Sequence, residues 1–378
     1  MGNNNSREKN QKILDKKSDL KLYLTRSNIS DISIFYNYEK KYIGIDNERV
    51  KSIQINNNFA YIICGLIDGF ILIYNILNNS ELKLSISFQA HREMIIKVNQ
   101  LRKSGFLLTS SYDNSLKVFK LSSNCTKETL IYKFYLNPIF NRINDLIQIN
   151  NDDILLISVF NHIIYFPYNK NNLSVNKNNL SDYDYSKIEH RKNYLSNLLE
   201  INEKLFLALD KVGKNILFFN IIPSENIAKK INLVKNVFIN LKVDNKDNSW
   251  NDKICIENLL PKYKYILVSI YNYISIIDIK YLEIICSYEM KMNSFHLFYN
   301  KKIDRILIFE GNNLYKYKIN NEKCEFYFVE ENIKINELFA IDRLEIICKI
   351  INHPFNENNI FFFYKNLLML LKMYLNCS

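Results

Sequence analysis

Three side chains that fall within a short span of this sequence carry the groups of acid–base chemistry: the imidazole of His91, the hydroxyl of Thr109 and the carboxylate of Asp113. As a catalytic base, His91 would need a nucleophile within hydrogen-bond reach and a cleft that admits substrate. Little else in the chain supports catalysis. The five histidines, at 91, 162, 190, 296 and 353, are widely spaced and form no metal-binding motif. There is no nucleophile elbow, and the seven glycines form no phosphate-cradling loop. No cofactor is expected. The seven cysteines, at 64, 125, 255, 286, 324, 348 and 377, are odd in number and irregularly spaced, with no Cys-x-x-Cys pair. That argues against a disulfide framework or a zinc site. Most lie in apolar runs, as Cys64 does in AYIICGL, and read as small buried hydrophobes of a chain kept in reducing surroundings.

The elements that must position these groups are strands. Apolar residues make up 48% of the 378 and charged residues 24%, a globular balance. The apolar set is Ile, Leu, Phe and Tyr with few Ala, which suits a pleated, half-buried surface better than a helix. The stretch TSSYDNSLKVFKL (109–121) reads as two short strands joined by a polar turn at Asp113. Upstream, VKSIQINNNFAYIICGLIDGFILIYNIL (50–77) places Asp68-Gly69 between two apolar runs, the strongest short-range hairpin signal. The two aspartates are 45 residues apart, and the order of strands and turns around them is the same. A period of about 40–45 residues with four strands per unit is that of a propeller blade. Further hairpins turn at Asn161, around Gly213, at Asn272, at Gly311-Asn312 and at Lys365-Asn366, which makes seven. A β-sandwich with an added domain, or a ring of six or eight blades, are the rival architectures.

The second unit, AHREMIIKVNQLRKSGFLLTSSYDNSLKVFKL, resembles a WD repeat over positions 46–125 taken with its neighbour. The resemblance implies an all-β fold, a WD-repeat-like β-propeller of seven blades spanning 31–378. It also implies that His91, Thr109, Asp113 and Phe119 occupy the places of a hydrogen-bonded chain that pins an outer loop to its blade. Phe119 cannot donate as a Trp does, so the chain is expected to stop at three members. In that structural role His91 needs only Thr109 and Asp113, and this is the preferred reading. In the first unit the matching positions are Asp46, Cys64, Asp68 and Tyr74, where only the turn aspartate survives. By the same resemblance, segment 31–40, containing ISIFYNY, is the closing strand lent to the last blade. Two polar inserts, 169–196 and 241–253, interrupt the pattern. The second holds the lone tryptophan, Trp250, a candidate anchor for a partner.

Residues 1–30 read as a flexible basic leader. It begins MGNNNSREKNQKILDKKSDLK, with Gly2 exposed after removal of Met and Ser6 four places on, the N-myristoylation pattern, followed by Arg7. One myristoyl chain binds membrane with an association constant of only about 10⁴ M⁻¹, so a second contact is needed. Arg7, Lys9, Lys12, Lys16, Lys17 and Lys21 against three acids leave +3 over the first 21 residues. Each basic group near an anionic leaflet contributes about 1 kcal/mol. No signal peptide is present, and the most apolar stretch, 360–375, is cut by Lys365 and Lys372. The chain carries a net +11, but the enrichment in Asn, Lys and Ile matches the coding bias of a very AT-rich genome, and no basic block or nucleic-acid-reading motif accompanies it.

The function expected from these features is a non-catalytic scaffold for protein–protein interactions, cytoplasmic and peripheral on the cytosolic face of a membrane. Its partners would be other proteins and a membrane surface, without nucleic acid, with the chain a monomer inside a larger complex. Arg92, Tyr112 and Asn114, flanking His91 and Asp113, mark the expected interaction face. The alternatives are a phosphoinositide-binding propeller of the autophagy type, whose Arg-Arg-Gly signature is absent and whose nearest substitute is His190-Arg191-Lys192, and a propeller enzyme.

Overall fold

A computed structural model describes residues 20–24, 27–36, 60–77, 82–101, 104–136, 143–149, 154–159, 162–167, 195–210, 215–222, 231–238, 254–258, 264–270, 273–289, 295–300, 305–310, 313–320, 325–334, 350–352, 359–364 and 367–372. Among these residues every regular element is a strand, and the strands form seven antiparallel sheets. The chain divides into two compact units: Thr25–Lys187, and Met1–Leu24 together with Ile188–Ser378.

The first strand in the chain, β1 (Leu20–Leu24), belongs to the second of these units. Three sheets make up the unit Thr25–Lys187. The first contains β2 (Ile29–Tyr36), β3 (Ala60–Leu66), β4 (Phe70–Ile76) and β5 (Leu82–Gln89). The next holds β6 (Ile95–Gln100), β7 (Leu107–Ser111), β8 (Ser115–Leu121) and β9 (Glu128–Tyr135). The third has β10 (Ile143–Ile149), β11 (Ile154–Val159) and β12 (His162–Pro167). Within these three sheets the strands follow one another in sequence order, so each is an antiparallel meander.

Sheets stack face to face, which is why the middle strands read as unbroken apolar runs. All seven residues of β3, AYIICGL, are buried, as is the whole of β7. Tyr61, Ile63, Ile71 and Ile73 of the first sheet pack with Ile95, Val98, Leu107 and Phe119 of the second. On the other face, Leu108, Leu116 and Val118 pack with Leu146, Leu155 and Ile157 of the third. Each such aliphatic side chain contributes about 1.5–3 kcal/mol on burial. A strand covered on both faces does not alternate; the outermost strands β5 and β9 do, because one face meets water.

The innermost strands carry a repeated irregularity. β2, β6 and β10 lie beside one another across the three sheets, and each has a β-bulge near its start, between Ile29 and Asp31, Ile95 and Lys97, and Ile143 and Asp145. The residue that ends each bulge is charged, and it contacts a neighbouring sheet of the same unit. The Val98 amide donates to Asp31 Oδ2 at 2.8 Å, and Lys97 Nζ donates to Asp145 Oδ1 at 2.9 Å. Burial acts to lower the Lys97 pKa, but Asp145 and Asp31 outweigh it and hold the ammonium above the ordinary lysine value. Gln148 Nε2 also donates to Gln100 O at 2.9 Å. Neighbouring sheets are thus held in register by polar contacts as well as by apolar packing.

The second unit has four sheets. They are β13 (Leu195–Glu200), β14 (Leu205–Asp210), β15 (Asn215–Ile221) and β16 (Ile231–Phe238); β17 (Ile254–Asn258), β18 (Tyr265–Ile270), β19 (Tyr273–Asp278) and β20 (Glu283–Glu289); β21 (Phe295–Asn300), β22 (Arg305–Glu310), β23 (Asn313–Asn320) and β24 (Glu325–Lys334); and β25 (Ile350–Asn352), β26 (Asn359–Tyr364) and β27 (Leu367–Lys372) joined by β1. The same two-sided packing recurs, with Leu207, Leu209, Ile216 and Phe218 against Ile266, Val268 and Ile277, and Leu267, Ile274 and Ile276 against Leu297, Ile306 and Ile308.

The paired registers flank each turn expected from the sequence: Val159 opposite His162, Asp210 opposite Asn215, Ile270 opposite Tyr273, Glu310 opposite Asn313 and Tyr364 opposite Leu367. Asn161, Gly213, Asn272, Gly311-Asn312 and Lys365-Asn366 lie outside the described residues.

Three expectations need correction. Segment 31–40 is not the strand that joins the last sheet: Ile29–Tyr36 is the first strand of the first sheet, pairing with β3. A four-stranded sheet needs its own first strand, and Ile29–Tyr36 supplies it. The strand joining the last sheet is β1, with Leu20 opposite Leu371 and Leu24 opposite Leu367. Its sequence LKLYL alternates as a half-buried strand must. The expected leader 1–30 therefore includes ordered strand, and Lys21 sits in it opposite Leu370. Finally, Leu195 and Ser196, expected in the insert 169–196, open β13. The rest of that insert, and 241–253 with Trp250, lie outside the described residues.

Candidate functional site

The link between the first two sheets is seated on a glycine. Gly69, with φ +80°, closes the β3–β4 turn, and its carbonyl accepts the Ala90 and His91 amides at 3.0 Å each. A Cβ at 69 would lie 2.2 Å from the His91 carbonyl oxygen, so only glycine fits this close approach. Beside it Asp68 Oδ1 accepts the Phe70 amide at 3.3 Å, tying the turn to itself.

His91 enters from that link and meets the second sheet. Its Nε2 lies 2.8 Å from Thr109 Oγ1 on β7. Its Nδ1 lies 3.1 Å from Asp113 Oδ2 and 3.0 Å from Ser115 Oγ. The Asp113 carboxylate also accepts the Ser115 hydroxyl at 2.6 Å, the Ser115 amide at 3.0 Å and the Arg92 amide at 3.1 Å. The hydrogen-bond pattern fixes the tautomer. Nδ1 faces acceptors, since the Ser115 hydroxyl directs its hydrogen to Asp113, so Nδ1 carries the hydrogen; Nε2 then accepts from Thr109. Burial holds the His91 pKa below its ordinary value of 6.5 against the pull of Asp113, which keeps the ring neutral at pH 7. Burial alone would raise Asp113; the hydrogen bonds from His91, Ser115 and the Arg92 amide outweigh it and hold the carboxyl well below the usual carboxylate range.

Carboxylate to Nδ1 and hydroxyl to Nε2 is the connectivity of a hydrolytic triad. Access decides between the readings. His91 is 1% exposed and Thr109 0%, so the hydroxyl has no surface at which to meet a carbonyl. Each polar group is also already paired within the network. The arrangement is built to hold the Asp113 turn and the Ala90–His91 link together, and it offers no place for substrate.

The turn itself is polar throughout. Ser111 Oγ accepts the Asp113 amide at 3.1 Å and donates to Glu93 O at 3.0 Å. Asn114, at φ 58°, takes the left-handed position that Asn tolerates, and its carbonyl accepts the Leu136 amide at 2.8 Å. Lys117 Nζ, on β8, donates to the Ala90 carbonyl of the link.

The network has four side chains where three were expected. Ser115 is the fourth, and the sequence reading gave it no role. Its signal was the spacing Asp-Asn-Ser, which suits an Asx-type turn with a hydroxyl two residues after the carboxylate. Phe119, buried at 5%, instead joins the apolar cluster and meets Phe88 edge-on, with centroids 5.2 Å apart. Arg92 is exposed; Tyr112 and Asn114 are half-buried beside the network. In the first sheet Cys64 and Tyr74 are buried, and burial raises both pKa values, so that sheet relies on packing where the second uses hydrogen bonds. Gly2, Ser6, Arg7, Lys9, Lys12, Lys16, Lys17, Asp46 and Trp250 lie outside the described residues. Among the described residues no group of three or more His, Cys, Asp or Glu side chains could hold a metal ion, and no helix is long and apolar enough to cross a membrane.

No protein-family model and no curated protein matches the sequence. The solved structure of Sqt1 from Saccharomyces cerevisiae, a WD-repeat β-propeller protein, is similar, with a TM-score of 0.54 over 83% of this chain and 81% of that one. Identity between the two is 9%, so the likeness is one of fold. Seven antiparallel sheets, six of four strands and one of three, together with that likeness, give this chain the fold of a WD-repeat-like β-propeller.

Proposed function

We propose that this chain is a non-catalytic scaffold that binds other proteins through the loops of its propeller, tethered to the cytosolic face of a membrane by N-myristoyl-Gly2 and the basic groups Arg7, Lys9, Lys12, Lys16 and Lys17. The observation that carries the scaffold reading is the burial of His91 and Thr109, which turns the one acid–base constellation of the sequence into a structural clasp. A fold whose strands are committed to stacking presents its turns and links to solvent, and those are the parts free to vary and to bind. The tether rests on the Gly2–Ser6–Arg7 pattern and on five basic groups against Glu8, Asp15 and Asp19 before β1, a balance of +2.

Proximity labelling in the native cell, comparing wild type with Gly2→Ala, tests both parts. A discrete set of labelled proteins shared by the two forms supports the scaffold; a set no different from that of a freely diffusing labelling enzyme overturns it. Gly2→Ala is expected to move the protein into the soluble fraction, and a variant that stays with the membrane overturns the lipid tether.

A further inference from the structure

The clasp leaves a set of positive charges unbalanced beside it. Lys117 on β8 and Lys133 on β9 stand directly opposite each other in the ladder, a like-charge pairing that costs stability. Burial lowers the Lys117 pKa, and Lys133 and Arg92 add to the lowering, while Asp113 opposes it. Asp113 cannot serve these cations further, because its oxygens already accept from His91, Ser115 and the Arg92 amide. Among the described residues no other carboxylate pairs with Arg92, Lys117 or Lys133. Lys133 rests over the Tyr135 ring at 4.4 Å, and Tyr135 is 40% exposed. Among the described residues β9 is the outermost strand of its sheet and pairs only with β8.

We propose that Arg92, Lys117, Lys133 and Tyr135 form a docking site for a short acidic segment of a partner protein, laid beside β9. The proposal rests on the scaffold reading and names the chemistry of a partner. Three cations around one fully engaged carboxylate make a site whose own charge balance is completed by an anion from outside. The edge of β9 offers backbone groups for an extended chain, and the Tyr135 ring offers an apolar wall beside the charges.

The test uses fluorescence anisotropy with the full chain, unmodified at Gly2, and a labelled glutamate-rich peptide, with a glutamine peptide of the same length and a single-stranded RNA of matched charge as comparisons. Salt-sensitive binding of the glutamate peptide is expected, with Arg92→Glu and Lys133→Glu each weakening it about tenfold and Lys83→Glu, on the outer strand of the first sheet, leaving it within about twofold. Lys133→Glu also removes the like-charge pair, so the same variant is expected to raise the melting temperature while it loses the peptide. Lys133→Gln should lie between wild type and Lys133→Glu in both readouts. The proposal is overturned by absence of binding, by equal weakening from Lys83→Glu, or by RNA bound as tightly with the same dependence on Arg92 and Lys133. Because no lipid or cellular partner enters the assay, its failure leaves the labelling result for the scaffold standing.

Discussion

Replacing Thr109 by valine removes one hydroxyl from the clasp and almost nothing else. The two side chains have nearly the same shape, so no cavity opens in a position that is 0% exposed. What changes is His91 Nε2, which loses its 2.8 Å donor and becomes a buried acceptor with no partner. The contact between Thr109 Oγ1 and Lys117 O, at 3.3 Å, competes for the same proton and adds little. A stranded buried acceptor costs about 1–3 kcal/mol, so Thr109→Val is expected to destabilise the fold by that amount. The next residue supplies the contrast. Ser110 is equally buried, but its hydroxyl has no hydrogen-bond partner. Ser110→Ala therefore removes an unpaid desolvation and is expected to be neutral or to stabilise by about 1 kcal/mol. Urea denaturation followed by circular dichroism, with the slope m compared between variants, separates the two. If Thr109→Val is silent, or if Ser110→Ala costs as much as Thr109→Val, the reasoning from paired and unpaired hydroxyls fails.

Gly69→Ala places a methyl group into the His91 carbonyl at a left-handed φ and is expected to cost about 2–4 kcal/mol, read as a lower urea midpoint. His91 and Asp113 both have folded pKa values below their ordinary 6.5 and 3.8, so the unfolded chain takes up protons first. Stability from His91 is full above pH 6.5 and falls as pH drops below it, and the Asp113 contribution follows below 3.8; His91→Gln should flatten the difference between urea midpoints measured at pH 7.5 and about pH 5.5. Lys97→Met leaves Asp145 and Asp31 without their cation and is expected to cost about 1–2 kcal/mol, since the ammonium is partly exposed. Deleting residues 1–25 removes β1 and bares the edge of β27, so it should produce aggregates by light scattering, whereas deleting 1–18 should leave a monodisperse protein.

The parts of this fold that were legible in the sequence are those whose signal is local. Asp68-Gly69 specified a hairpin because only glycine tolerates the turn it makes, and the apolar runs of β3 and β4 on either side needed no partner to be recognised. The spacing of His91, Thr109 and Asp113 was legible through its likeness to a known repeat. What stayed hidden depended on partners far away in the chain. β1 is five residues long, preceded by Lys16, Lys17 and Asp19, and nothing near it in sequence says that it will pair with Leu367–Leu371. Asp31 accepts the Val98 amide and Lys97 pairs with Asp145, each across to a neighbouring sheet, yet each of these charges looks like an ordinary surface residue in its own segment. Ser115 was overlooked for a different reason: the family pattern leads the eye to position 119, where a Trp would donate, and a nearer hydroxyl had already taken over as the extra hydrogen-bonding member.

The pairing of β1 with β27 has a consequence in time. Leu20 and its partner Leu371 are about 350 positions apart, so β1 leaves the ribosome long before the strand it must join. At roughly 5–20 residues per second the wait is about 20–70 s. The sheets of the unit Thr25–Lys187 draw all their strands from that one continuous stretch and can form as it emerges. The last sheet cannot, because it needs the earliest strand and the latest ones together. Until then Leu20, Leu22 and Leu24 have no ladder to join, and a messenger cut short anywhere before codon 367 yields a chain that can never finish that sheet.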